Sequence, residues 1–262
     1  MPGESHIRQV LVIAFPQSVP GRVWRYARRV GRLLGVGVSR VTTAGEFERQ
    51  SRAAGGPVLA ILSTRDHPVL DRLLPGLADH GLVAGQTGDL WALLVVQRPC
   101  WPPDRILLVL GGGEADQAAV DWAVHLAQAG EGAVTVLALV PPQPGMDRWR
   151  GCVDRGLPAL LTADTALGQQ RQRIAHHLRD RGIGGTLRLR QGPPDQQIYQ
   201  EVITGSYDLI VLAATPCPQW HRWFQADWPG PPIVVGLTRQ CETGWFKDRQ
   251  KLVDTFHTGR IL

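Results

Sequence analysis

Apolar residues along this chain fall into two alternating patterns. Short runs of strand length, closed by glycine, proline or polar residues, recur over Gln9–Phe15, Val36–Thr42, Val58–Leu62, Trp91–Gln97, Arg105–Leu110, Val134–Val140, Asp208–Ala213 and Ile233–Leu237. Between them, apolar positions three and four apart predict helices over Arg22–Leu34, Glu46–Ala53, Val69–His80, Ala115–Gly130 and Gln196–Thr204. A further helix has Gln169–Arg181 as its later part, and Thr186–Arg190 alternates like a strand. Runs that are apolar throughout suit strands covered on both faces of a parallel sheet, and their alternation with helices reads as βαβ units. Pro99, Pro102 and Pro103 interrupt the pattern, because proline continues neither a helix nor a central strand. The chain therefore divides into a shortened unit over 1–98, a linker over 99–104, a full unit over 105–238 and a polar extension over 239–262. The predicted fold class is α/β, with two doubly wound parallel sheets in tandem.

Composition fits this picture. The chain has 262 residues, 44% hydrophobic and 19% charged, which is enough apolar material to bury a core. No apolar run approaches the ~18 residues of a spanning helix, and the first residues lack the basic and apolar regions of a secretory signal. A soluble, cytoplasmic protein without a membrane partner is expected. Cys100, Cys152, Cys217 and Cys241 form no Cys-x-x-Cys pair, so neither a zinc ribbon nor a disulfide framework is expected. His176 and His177 diverge around their helix among arginines, which disfavours a shared metal. Of the 28 basic residues behind the net charge of +5, only Lys247 and Lys251 are lysines. Arg22, Arg25, Arg29 and Arg32 share a helix face opposite Val23, Ala27, Val30 and Leu34. They read as a solvated face, and nucleic acid is not expected as a partner.

Residues 105–238 resemble the universal stress protein (UspA-like) family, whose fold is of the adenine nucleotide alpha hydrolase-like type. The resemblance is carried by Arg105–Glu114 (RILLVLGGGE), Ala118–Ala127 (AAVDWAVHLA), Val134–Pro142 (VTVLALVPP), Tyr207–Ala213 (YDLIVLA) and Pro232–Val235 (PIVV). The first unit looks like a degenerate copy, with Pro57–Asp66 and Leu70–Gly76 matching the family's strand, loop and helix before the last strand. That copy lacks one internal helix–strand segment. ATP-binding members carry Gly-x2-Gly-x9-Gly-Ser/Thr after the fourth strand and an Asp at the end of the first. Bare backbone N–H groups and a helix N-terminus then hold the phosphates. The matching positions here are Ala213, Pro216, Ala226 and Asp227 in the second unit and Ser63, Asp66, Gly76 and Leu77 in the first. Gly111 and Phe15 replace the two first-strand Asp residues. Proline offers no N–H, and a carboxylate repels a phosphate. The resemblance thus implies the fold, while these residues argue against ATP or AMP as a cofactor in either unit. Because family members commonly pair through their last strands, it also implies that Trp91–Gln97 meets Ile233–Leu237 in an intramolecular pseudo-dimer.

Gly111-Gly-Gly113 lacks the sixth-position glycine of a dinucleotide fingerprint and reads as a tight turn. Glu114, Asp116 and Asp121 read as charges at a helix N-terminus. Trp220, Trp223, Phe224 and Trp228 crowd the segment where a phosphate loop would lie, and read either as an interface for a protein partner or as a local core. No Gly-x-Ser-x-Gly, His-Glu-x-x-His or Walker lysine motif is present, so catalysis is not expected. The expected function is a non-catalytic, stress-related regulatory or interaction module acting through an unidentified protein partner. The alternative is a small-molecule or adenine-nucleotide binder with an altered pocket. A hydrolase of the same α/β type and a nucleic-acid binder rank third and fourth.

Overall fold

The computed structural model describes residues 7–13, 21–63, 91–96, 102–111, 116–140, 166–213 and 230–237. In the first half, β1 (Gln9–Ile13), α1 (Gly21–Leu34), β2 (Gly37–Val41), α2 (Ala44–Ala54), β3 (Val58–Ser63) and β4 (Trp91–Val96) follow one another. In the second half come β5 (Arg105–Leu110), α3 (Asp116–Gly130), β6 (Ala133–Val140), α4 (Ala166–Asp180), β7 (Gly185–Gln191), α5 (Pro194–Thr204), β8 (Leu209–Ala213) and β9 (Ile233–Leu237). Each predicted element within the described residues is present, with ends displaced by a few residues. The helix expected over Val69–His80 lies outside them.

Sequence pattern explains the local choices. β5 buries every residue from Ile106 to Leu110, and β8 buries Leu209 to Leu212, as strands covered by helices on both faces must. α2 starts with a reciprocal cap. Thr43 Oγ1 accepts from the Glu46 N–H at 3.1 Å, and the Glu46 carboxylate accepts from the Thr42 N–H at 2.8 Å. Donation from the Thr42 N–H and from its hydroxyl holds the Glu46 carboxyl below the usual carboxylate range. The helix ends on Gly55 at φ 60°, a left-handed turn that glycine adopts without strain. Asp208, just before β8, accepts from the N–H groups of Asp104 and Arg105 at 3.1 and 3.0 Å. It thereby ties the start of β5 to the start of β8 across the sequence.

Among the described residues the strands form one sheet, in the order β2-β1-β3-β4-β9-β8-β5-β6-β7. Neighbours within each half are parallel, and the two halves join through antiparallel β4 and β9, with Leu93 opposite Val235. The pairing expected of the last strands is therefore present, and it fuses two parallel arrays into a single continuous sheet. Leu94, Val234 and Val235 are fully buried at the seam. Pairing there satisfies two rows of backbone groups that would otherwise be open edges. The strand orders of the halves mirror each other outward from the seam, except that β7 has no counterpart among the first half's described residues. α1 and α3 each follow the first strand of their half and touch each other, so they share one face of the sheet.

Candidate functional site

In an open α/β sheet, ligands bind outside the carboxyl ends of the strands where the strand order reverses. Here the order reverses between β1 and β3 and again between β5 and β8. The register sets Val12 beside Ile61 and Val109 beside Leu212, so the ends of each strand pair lie level. Ser63 is the last residue of β3, Ala213 the last of β8, and Gly111 immediately follows β5. The structure thus brings three of the positions singled out from the sequence to the two reversal points. Phe15, Asp66, Gly76, Leu77, Pro216, Ala226 and Asp227 lie outside the described residues, as do Trp220, Trp223, Phe224 and Trp228.

At the β5 end a carboxyl already occupies the strand terminus. Asp116, the first residue of α3, is 1% exposed, and its Oδ1 accepts from the Gly111 N–H at 3.2 Å. An acid in a first helical turn favours the positive end of the helix dipole. It also takes up a main-chain amide that an incoming anion could use.

A second polar cluster sits under α5. Alternation along β7 turns Arg188 and Arg190 to one face, where both reach Glu201 of α5. Arg188 Nη1 donates to Glu201 Oε1 at 2.6 Å, and Arg190 Nη2 donates to Oε2 at 2.9 Å. Tyr207 Oη donates to Oε1 at 2.7 Å, and the Arg105 guanidinium stands 5.5 Å above the Tyr207 ring. Burial by itself would raise the Glu201 pKa. The hydrogen bonds from Tyr207 and Arg190 and the two guanidinium charges outweigh it, so the carboxyl lies below its usual range. Burial and the bond to Glu201 push the Tyr207 phenol up. A fully enclosed, fully engaged carboxylate has no lone pair free for acid–base work, so this cluster is a structural lock between β7, α5 and β8. Sequence reasoning missed it. The Leu-Arg-Leu-Arg alternation over 187–190 was a signal for the arginines, but nothing local marked Glu201 as buried.

The histidine pair separates: His176 is exposed, whereas His177 Nε2 stands 3.8 Å from Asp121 Oδ1 and links α4 to α3. Asp121 also accepts from Gln117 Nε2 at 2.9 Å. No group of three or more metal-ligating side chains forms among the described residues, and no helix there is long and apolar enough to cross a membrane. A cavity of about 340 Å³ lies between α4 and the sheet, lined mainly by Val134, Val136, Ile174, Leu178 and Leu187 with Arg179 beside them.

The universal stress protein family model matches residues 103–222. A protein of unknown function from Pseudomonas aeruginosa PAO1 aligns with TM-score 0.57 and 11% identity, over 94% of this chain and 98% of that one. The cytoplasmic domain of a prokaryotic cation chloride cotransporter aligns with TM-score 0.51 and 12% identity, over 91% of this chain and 88% of that one. A universal stress protein family member from Burkholderia pseudomallei aligns with TM-score 0.38 and 19% identity, over 52% of this chain and 98% of that one. The first two likenesses are of fold and extend over both halves. No curated protein matches the chain.

Proposed function

We propose, from the match of residues 103–222 to the universal stress protein family model, that the chain is a non-catalytic regulatory or interaction module in which the family's usual nucleotide site is lost. We read the first half as a second, shortened copy, a reading supported by the mirrored strand order and the antiparallel seam. The observation that carries the loss of the site is the sequence at the family's phosphate-loop positions after β8, while at the end of β5 the Gly111 amide is already engaged by the buried Asp116 carboxyl. At those loop positions Pro216 removes a donor and Asp227 adds negative charge. With no nucleotide to turn over, protein contacts become the means of action, and Trp220, Trp223, Phe224 and Trp228 are the proposed anchors.

Titration calorimetry with ATP and with AMP tests this reading. The expected result is no heat of binding at micromolar nucleotide, together with capture of a discrete protein on the immobilised chain that a Trp220→Ala/Trp223→Ala variant loses. Micromolar affinity for either nucleotide overturns it. A second reading, a small-molecule binder, is favoured by the apolar cavity beside α4, whose size lies within the ~300–1,000 Å³ of ligand pockets. Its lining suits an apolar group. Native mass spectrometry of freshly purified protein would show such a ligand as an added mass.

A further inference from the structure

We propose that the arginine face of α1 is a docking surface for the phosphate backbone of duplex nucleic acid. Arg22, Arg25, Arg28, Arg29 and Arg32 are all exposed, and the helix contains no acidic residue. None of the five has a hydrogen-bond or ion-pair partner among the described residues. Composition alone does not account for this. Residues 1–63 hold nine arginines against three glutamates, whereas residues 64–262 hold nineteen basic residues against twenty acidic ones. The chain's positive excess therefore lies within residues 1–63, and five of those nine arginines are on this helix.

The geometry favours a regular polyanion. From Arg22 to Arg32 the helix rises about 15 Å at ~1.5 Å per residue. The phosphates of each B-form strand wind around the duplex axis with ~3.4 Å of rise apiece, so the long side chains of Arg22, Arg25, Arg29 and Arg32, spread over that length, reach four of them by spanning both strands that flank a groove. Guanidinium groups suit phosphate oxygens because their fork donates two parallel hydrogen bonds. Other partners fit less well. Val23, Tyr26, Ala27 and Val30 are locked in the core, so α1 has no apolar face to insert into a bilayer. Leu33, 38% exposed, is the only large apolar side chain the helix presents, too little for the apolar centre of a protein interface. Its one half-buried aromatic, Trp24, packs against the core and leaves no exposed platform for stacking single-stranded bases. The contact is thus to backbone and independent of base sequence.

Fluorescence anisotropy with a labelled duplex of about 25 base pairs, of arbitrary sequence, tests the proposal. Four to five phosphate contacts give a slope of log affinity against log salt near −4, or about a 250-fold loss between about 50 and about 200 mM salt. Arg22→Gln/Arg25→Gln and Arg29→Gln/Arg32→Gln should each bring the slope about two units nearer zero. Arg173→Gln/Arg181→Gln, at exposed positions in and just after α4, should leave it unchanged. Circular dichroism of each variant checks that the fold is kept, and the two α1 pairs report separately if one misfolds. Absence of binding at about 50 mM salt, unchanged slopes in both α1 variants, an equal loss in the α4 variant, or binding to phosphatidylserine vesicles but not to the duplex would each overturn it.

Discussion

Replacing Glu201 with alanine removes the carboxylate on which Arg188, Arg190 and Tyr207 converge. Glu201 is 0% exposed, while the side chains of Arg188 and Arg190 are 49% and 35% exposed. Breaking a fully buried ion pair typically costs 3–5 kcal/mol, because a charge is stranded away from water. Here both guanidiniums can turn toward solvent, which lowers that contribution to about 1–2 kcal/mol. Tyr207 is 8% exposed and loses its acceptor, adding about 1 kcal/mol, and the emptied volume under α5 adds a similar amount. The expected total is about 3 kcal/mol, or a fall in melting temperature of about 6–12 °C for a chain of this size. Glu201→Gln keeps the shape and one acceptor oxygen and should cost about half as much. The pH dependence provides an independent check. Because the folded-state pKa of Glu201 is lowered below the ordinary 4.5, its stabilisation is complete above that value and is lost as pH falls through the folded-state pKa. Calorimetric melts from neutral to acid pH should therefore show a steeper decline in the parent than in Glu201→Gln. A Glu201→Ala variant within about 0.5 kcal/mol of the parent, or an identical acid profile for Glu201→Gln, would refute the assignment of this cluster as a lock.

Two further perturbations probe the packing that positions the site. A Cβ added at Gly132 would lie 2.3 Å from the Pro103 carbonyl oxygen and 3.3 Å from that of Asp104. Gly132→Ala must therefore displace backbone and should cost about 1–3 kcal/mol in denaturant melts. Leu94→Ala opens a cavity at the fully buried seam between β4 and β9, with an expected cost of about 2–5 kcal/mol. Two resolved unfolding transitions in the parent protein, one for each half, would contradict a sheet that folds as one continuous unit across that seam.

What the sequence by itself determined was the periodic content. Short uninterrupted apolar runs such as Ile106–Leu110, closed by glycine, fit strands covered on both faces, and the arginine spacing in Arg22–Leu34 fits one exposed helical face. Such patterns are local, because burial on a strand or helix repeats every two or every three to four residues. The tertiary structure decided what depends on partners distant in sequence. Asp116 read as an ordinary helix-start charge until the turn after β5 brought the Gly111 amide onto it. Glu201 looked like one more polar residue on a short helix, and only the approach of β7 and Tyr207 made it a buried anion. A buried charge carries no periodic signature in the chain, since it is fixed by groups that folding alone brings within hydrogen-bonding reach.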